Sequence, residues 1–460
     1  MLETEQPLPE IRQPLVSRIL AEWKTLTQLG GPILVAQVAQ MANGVIDTVM
    51  AGHYGARDLA AVGIGGSIWM PLFLLFSGVL MALQPIISNY RGAGQNSRIL
   101  PITWQGIYVA LIGSALMIGL LLASGPLLTL LELDEPTATI SRGYLMAFAW
   151  GVPAMLVALA LRGLTDGLGH TSVIMVFSVI ATLINLPLNY LLIYGGLGLP
   201  ELGGIGCGWA TAIAQTVAAL LLMAYLHFSR AYRDYPIFRR WQPPNWKGME
   251  RILRLGLPIG LTIFVEASLF CVIALFLVPL GPIVVAGHQI ALNVTSLLFM
   301  LPLSLGMALT LRVSFLRGAT LPNTARLLAR SSLLLALSMA AIFGSLLFVF
   351  NDWIATLYTS DTGVQAVAAR LLMFAALFQI ADVLQVTCIS ALRGYEDTRV
   401  PMLIMLFSFW GVGLCLGYTL TFTDWLVPAM GAAGFWLALT AGLATASTLL
   451  LIRLFNFRPK

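Results

Sequence analysis

Residues 253–280 read LRLGLPIGLTIFVEASLFCVIALFLVPL, an apolar run with a single acidic residue, Glu266, near its middle. A helix needs about 20 apolar residues to cross a hydrocarbon core about 30 Å thick. Runs of this kind recur along the chain and predict an all-α integral membrane protein of twelve transmembrane helices. The predicted spans are 26–51, 62–89, 103–124, 139–161, 172–195, 207–228, 253–280, 285–311, 328–350, 364–391, 400–422 and 429–452.

The overall composition excludes an ordinary soluble protein. Of 460 residues, 58% are hydrophobic and only 10% are charged. In soluble domains about a quarter of the residues are charged. Glu3, Glu5 and Glu10 precede the first span, and this span is longer than the apolar core of a cleaved signal peptide. We therefore expect the N-terminal segment to remain on the protein.

The distribution of positive charge predicts the orientation of the helices. Of 25 Lys and Arg residues, 22 fall in the two terminal segments and the even-numbered connections, and only Arg57, Arg142 and Arg370 fall on the other side. The positive-inside rule then places both termini in the cytoplasm, with the chain in the inner (plasma) membrane. The net charge of +5 follows from this asymmetry, so the lipid bilayer is the expected partner and no nucleic acid is required.

The two halves of the chain repeat each other with a shift of about 226 residues. Six spans per half make the repeat parallel, which predicts two six-helix lobes related by a pseudo-two-fold axis along the membrane normal. The matching elements are Gly30-Gly31-Pro32 with Gly256-Leu257-Pro258, Met81-Ala82-Leu83 with Met307-Ala308-Leu309, and Gly203 and Gly206 with Gly431 and Gly434.

These boundaries divide the chain into five parts. They are a cytoplasmic N-terminal segment (1–25), an N-lobe (26–228), a polar linker rich in turn-forming residues (229–252), a C-lobe (253–452) and a cytoplasmic tail (453–460). Pro32 and Pro258 occupy matching positions near the start of the first span of each lobe. Each proline either bends its helix or marks where the helix begins.

Only three acidic residues fall well inside predicted spans, namely Asp47, Glu266 and Asp382. A charge at bilayer depth costs at least about 2.5 kcal/mol even on the most lenient scale. No Lys or Arg is predicted deep in any span, so a proton or a bound cation is the expected counter-charge. The alternative is a protonated acid that only hydrogen-bonds a neighbouring helix.

Depth along the helices predicts how the three acids are grouped. Glu266 and Asp382 lie about 13 and 9 residues inward from the cytoplasmic ends of their spans, which places them at similar depths at about 1.5 Å per residue. We expect them to share one Na⁺ or one proton and to titrate together. Asp47 lies in the first lobe, near the outer end of its span, where Asn185 and Asn189 share one helix face and can hydrogen-bond it.

Polar stripes run along two of the spans. Their members are Gln40, Asn43 and Asp47 in span one, and Gln289, Asn293 and Ser296 in span eight. Such a stripe lines a cavity or a helix contact, and the cavity is the favoured interpretation. Phe378 and His288 are further candidates to line the cavity, since aromatic faces suit apolar or cationic ligands. For each of them, packing in the core is the favoured alternative.

Other kinds of chemistry find no support in the sequence. The four cysteines lie inside predicted spans and the four histidines are scattered, so neither a disulfide framework nor a zinc site is indicated. There is no phosphate-binding loop for ATP, and no nucleophile with a base. We therefore expect no enzymatic activity and no cofactor other than a coupling ion.

Five segments resemble the multidrug and toxic compound extrusion family, in its bacterial NorM-type branch, and the resemblance covers essentially the whole chain. They are Val45-Ile46-Asp47-Thr48-Val49-Met50-Ala51-Gly52, Asn185-Leu186-Pro187-Leu188-Asn189-Tyr190, Leu257-Pro258-Ile259-Gly260 leading to Glu266-Ala267-Ser268, Phe378-Gln379-Ile380-Ala381-Asp382, and Leu392-Arg393-Gly394-Tyr395. The resemblance implies a monomer that exports cationic, amphipathic drugs in exchange for Na⁺ or H⁺ by alternating access of a cleft between the lobes.

The same resemblance implies roles for individual residues. Glu266 and Asp382 match the cation-site acids of the second lobe, and Asp47 with Asn185 and Asn189 matches the polar site of the first lobe. Some relatives have a tyrosine one turn before the span-ten acid; here that residue is Phe378, so one oxygen ligand is missing.

A flippase and an ion channel are the two alternative kinds of membrane protein, and the sequence favours neither. A lipid-linked saccharide flippase of the same superfamily would favour Arg or Lys in the central cleft to bind a pyrophosphate, and none is predicted there. An ion channel would use a symmetric ring of ligands, and two lobes with unlike acids do not supply one.

Overall fold

The computed structural model describes residues 14–130, 133–196, 198, 200–425 and 427–457. Glu3, Glu5, Glu10 and Arg12 of the predicted N-terminal segment, and Arg458 and Lys460 of the predicted tail, lie outside these residues.

Within the residues that the structure describes, twelve helices are long and apolar enough to cross a membrane, as predicted. They are α1 (Leu15–Tyr54), α2 (Ala56–Gly92), α3 (Asn96–Leu122), α4 (Glu135–Gly167), α5 (Thr171–Tyr194), α6 (Gly204–Phe228), α7 (Trp246–Leu280), α8 (Pro282–Gly318), α9 (Pro322–Tyr358), α10 (Thr362–Gly394), α11 (Arg399–Phe422) and α12 (Ala432–Asn456). A short helix, Gly125–Leu130, lies between α3 and α4. Within α11, residues Phe407–Leu414 form a π-helical turn.

Local chemistry explains where several of the helices begin. The side chain of Asp361 accepts hydrogen bonds from the first free N–H groups of α10, and proline occupies the first turn of α8 and of α9, where no N–H partner is needed. Gly203 and Gly431 precede α6 and α12 with φ of 53° and 61°. This left-handed backbone favours glycine, which explains why the two glycines recur in the repeat.

Most helices extend beyond the predicted spans, and the segment boundaries change accordingly. α1 begins at Leu15, inside the segment predicted as 1–25, and α7 begins at Trp246, inside the linker predicted as 229–252. α12 continues to Asn456, into the tail predicted as 453–460. Hydropathy detects only the lipid-embedded part of a helix, whereas polar residues at its ends stay helical when capped, as Asn245 caps α7 through the N–H of Lys247.

The two repeated prolines lie inside continuous helices. Pro32 is in the middle of α1, and Pro258 is twelve residues after the start of α7. The alternative that each helix begins at its proline is therefore wrong. Each proline still removes one backbone hydrogen bond from the helix interior.

The two lobes meet through close contacts that obey the repeat. A Cβ added to Gly30 would lie 3.0 Å from the side chain of Leu305, and one added to Gly256 would collide with the backbone of Val79. Both residue pairs are related by the 226-residue shift. Gly78 and Gly260 also pack so tightly that a Cβ on Gly78 would lie 2.5 Å from the Cα of Gly260.

The hydrogen bonds between the lobes lie on the side of the protein where both chain termini are. The Ser88 hydroxyl donates to the carbonyl oxygen of Leu311 at 2.7 Å, and the Arg312 guanidinium pairs with Glu22 at 2.8 Å. Trp23 likewise donates to Ser331 at 3.3 Å. The lobes are thus joined on the side of the chain termini. The acidic residues of α1, α7 and α10 lie deeper in their helices, away from this side.

Candidate functional site

Asp47 is the centre of a hydrogen-bonded ring that joins three helices of the first lobe. Its carboxylate oxygens accept hydrogen bonds from Asn189 Nδ2 at 2.6 Å and from Thr211 Oγ1 at 3.0 Å. Asn189 also donates to Asn185 Oδ1 at 2.9 Å, and Asn185 donates to Thr211 Oγ1 at 3.2 Å, which closes the ring. All four side chains are buried. The expected hydrogen bond from span five to Asp47 is present and comes from Asn189. Asn185, one helical turn earlier, bonds both Asn189 and Thr211.

Sequence reasoning missed Thr211. A single threonine in an apolar helix carries no pattern, because threonine hydroxyls in helices usually bond their own backbone. The helix that follows Gly203 brings the side chain against Asp47, and this placement depends on the packing of α6 on α1.

The two polar stripes do not lie wholly inside the protein. Asn43 is buried, and its side-chain oxygen has no hydrogen-bond partner among the described residues. Gln40, Gln289 and Asn293 are exposed. Only the Asn43 and Asp47 part of the first stripe therefore faces the interior of the lobe.

Glu266 and Asp382 come together in the second lobe. Asp382 is buried, with 3% of its surface exposed, while Glu266 is partly exposed, and the two carboxylates are close enough to interact electrostatically. Among the described residues, neither carboxylate accepts a hydrogen bond. This second-lobe pair therefore differs from Asp47, whose oxygens are both bonded by neutral donors.

Two further polar side chains lie near this pair. Gln379 is one helical turn before Asp382 and fully buried, and both ends of its amide lack a hydrogen-bond partner among the described residues. Arg393 interacts electrostatically with Glu266 and is only partly exposed. Arg393 lies two residues past the predicted end of span ten, on the last turn of α10, which continues to Gly394. A basic residue at the end of the helix thus acts on Glu266, although none lies deep in the predicted span.

Two of the candidates to line the cavity lie in the core instead. Phe378 is 5% exposed, and its ring centroid lies 5.7 Å from that of Trp436. His288 is fully buried, and its Nδ1 accepts a hydrogen bond from Trp436 Nε1 at 3.2 Å. The prediction that these two residues line a cavity is wrong, because the indole ring of Trp436 on α12 packs against both.

Another buried acid, Asp166, is not among the predicted candidates. It is 1% exposed, forms an ion pair with Arg162 at 3.1 Å, and accepts a hydrogen bond from Gln84 Nε2 at 3.0 Å. Hydropathy ended span four at residue 161, whereas α4 continues to Gly167. Arg162 and Asp166 therefore share one face of the same buried helical turn.

Replacing Thr211 by valine is expected to destabilise the protein by about 1–3 kcal/mol, because a buried carboxylate oxygen loses its donor. Thermal unfolding in detergent measures the effect. Thr216→Val on the same helix is the matched control, since the Thr216 hydroxyl donates only to Ala212 of its own helix, at 2.7 Å. Equal unfolding midpoints for the two variants would contradict a bonding role for Thr211.

Comparison with known proteins identifies the family. The MatE family model matches the chain twice, over residues 32–191 and 258–419. A probable multidrug resistance protein NorM from Idiomarina loihiensis is 44% identical over 94% of both chains. The multidrug resistance protein PmpM from Pseudomonas aeruginosa is 43% identical over 95% of this chain and 92% of its own.

Solved structures share the fold. A crystal structure of the eukaryotic MATE transporter AtDTX14 superposes with a TM-score of 0.87 at 21% identity, covering 96% of this chain and 97% of that one. The Vibrio cholerae MATE transporter VcmN in its bent form gives 0.84 at 20% identity, covering 95% and 97%.

Twelve apolar helices in two repeated halves, with acids buried inside each half, define a multi-pass membrane transporter. The chain belongs to the MatE family, the multidrug and toxic compound extrusion family that its sequence resembles.

Proposed function

We propose that this protein exports cationic, amphipathic drugs across the inner membrane in exchange for Na⁺ or H⁺. The observation that carries the proposal is the second-lobe pair, Glu266 and Asp382, whose oxygens lack protein hydrogen-bond donors among the described residues. Two carboxylates that share a low-dielectric site repel each other unless a cation or a proton lies between them. The nearby amide of Gln379 adds another oxygen that a hard cation can use.

The positions of the lobe contacts support alternating access. We place both termini in the cytoplasm. The contacts of Ser88 and Glu22 then hold the lobes together at the cytoplasmic end, as an outward-facing state requires. Glu266 lies six residues beyond Gly260, about 9 Å along α7 from the close contact with Gly78. An ion arriving from outside therefore reaches Glu266 without passing the closed end.

Exchange requires the ion and the drug to favour different lobe arrangements. Occupation of the second-lobe pair by an ion neutralises the repulsion between Glu266 and Asp382, and the two helices that carry them, α7 and α10, then draw together. We expect this closer packing to weaken drug binding in the cleft. Drug binding in turn weakens ion binding by the same factor, because coupling between two sites is reciprocal.

The names of the relatives support drug export. Both the Idiomarina protein and PmpM are named as multidrug resistance proteins. Arg393 does not favour the flippase alternative, because it lies at the end of α10 and its charge interacts with Glu266.

The proposal is tested by purifying the protein, reconstituting it in vesicles and loading a fluorescent organic cation. We expect efflux to accelerate when an inward gradient of Na⁺ or of H⁺ is imposed, and the effective gradient identifies the coupling ion. Empty vesicles are the control. Efflux at one rate with either gradient and with none would overturn the exchange.

A further inference from the structure

A polar cavity of about 450 Å³ opens in the second lobe, on the side of the protein where the chain termini lie. It is lined by Arg326 and Arg330 of α9, by Tyr395 directly after α10, and by Leu454–Phe457 at the end of α12. The cavity is remote from the acids of the proposed transport site. Asp382 lies thirteen residues before Tyr395, or about 20 Å along the helix.

Two arginines give the cavity its charge. Arg326 and Arg330 are four residues apart and lie on the same face of α9. Neither forms an ion pair with a carboxylate within the residues that the structure describes. The guanidinium of Arg330 lies over the Phe455 ring, 5.2 Å from its centroid, and such stacking leaves the N–H groups in its plane available to an anion.

Tyr395 provides a buried donor in the same cavity. The residue is 5% exposed, and its hydroxyl has no hydrogen-bond partner among the described residues. The Tyr395 ring packs beside Phe457 at 5.1 Å between centroids, with the two rings tilted by 35°. Burial raises the pKa of this phenol to about 12, although nearby arginines oppose the rise, so the group keeps its proton and can donate it in a hydrogen bond.

An apolar surface adjoins the cavity. Phe455 lines the cavity and is 50% exposed, and Ile452, one turn earlier on α12, is 53% exposed. A molecule with an anionic head and an apolar tail matches this arrangement. The head meets Arg326, Arg330 and the Tyr395 hydroxyl, and the tail follows α12 into the bilayer.

We infer that this cavity binds a phosphate group, and specifically the phosphate head of an anionic lipid in the leaflet on the side of the termini. Arginine pairs and hydroxyl donors are the groups that bind phosphate oxygens. Basic pockets between membrane helices on the cytoplasmic side recognise anionic headgroups in the same way. The site ties α9, α10 and α12 to the lipid that surrounds them.

The test is native mass spectrometry of the purified protein titrated with phosphatidylglycerol. The double variant Arg326→Gln/Arg330→Gln is expected to bind it at least about tenfold more weakly, since each basic residue near a lipid headgroup contributes a factor of about five. Tyr395→Phe keeps the ring and is expected to lose about fivefold. The matched control is Arg239→Gln/Arg240→Gln, which removes the same charge from two adjacent, exposed arginines and is expected to bind like the wild type.

A second arm separates the two sources of phosphate. Inorganic phosphate at millimolar concentration is added alone and the thermal unfolding midpoint is measured. Stabilisation by phosphatidylglycerol but not by inorganic phosphate supports the lipid, and the reverse supports the phosphate site but overturns the lipid assignment. Equal lipid binding by the double variant, its control and the wild type would overturn the site altogether.

Discussion

Asp382→Asn is expected to abolish ion-driven drug efflux while the protein still folds and still binds drug. Asparagine keeps the shape of the buried side chain but cannot carry the negative charge that holds the coupling ion. A unit charge pair at about 4 Å is worth about 4 kcal/mol at an effective dielectric constant near 20. We therefore expect the affinity for the coupling ion to fall at least about a hundredfold.

This result is measured by comparing efflux with and without the imposed gradient in reconstituted vesicles. Asp352→Asn is the matched control, because it makes the same chemical change at an exposed acid of α9. Binding of the fluorescent cation to the detergent-solubilised variant shows whether the drug site survives. Gradient-driven efflux at the wild-type rate in Asp382→Asn would remove Asp382 from the coupling mechanism.

Gly78→Ala is expected to shift the lobes away from the arrangement seen here. The added Cβ would lie 2.5 Å from the Cα of Gly260 and 2.9 Å from its N, and backbone atoms on both helices cannot yield as a flexible side chain would. Overpacking of this kind costs about 1–3 kcal/mol. We expect the population with the lobes joined at Gly78 to fall about tenfold, and efflux to fall with it.

Spin labels at two exposed positions on the opposite end of the lobes, Arg57 and Ser360, report this shift as a shorter distance. Gly66→Ala on the same helix is the control, since a Cβ there meets no atom within 4 Å. Identical distance distributions and efflux rates for the two alanine variants would mean that the contact at Gly78 does not control the position of the lobes.

The sequence predicted the helix count, the repeat and the grouping of the acids because each depends on local rules. Charges are rare in a bilayer, so Asp47, Glu266 and Asp382 are visible in an otherwise apolar sequence. The 226-residue shift is preserved in the close approach of Gly30 to Leu305 and of Gly256 to Val79, where equivalent residues of the two lobes meet.

The misses have two physical causes. Asp166 and Arg393 lie on helical turns that continue past the hydropathy limit, where the lobe buries polar groups that lipid does not reach. His288 and Phe378 were assigned to a cavity, but both pack on Trp436, which is 148 residues from His288 along the chain. Contacts at such separation depend on tertiary packing, and no local pattern reveals them.

The central claim is that the coupling ion is exchanged for drug at the second-lobe acids. The most direct measurement lets drug exit drive the ion inward. Vesicles with wild-type protein receive an outward drug gradient and no ion gradient, and ion entry is recorded with a pH dye and a sodium dye. The account predicts that drug exit drives entry of one of the two ions, and that Glu266→Gln and Asp382→Asn abolish this entry. Drug exit with no ion entry in the wild type, or undiminished entry in both variants, would contradict it.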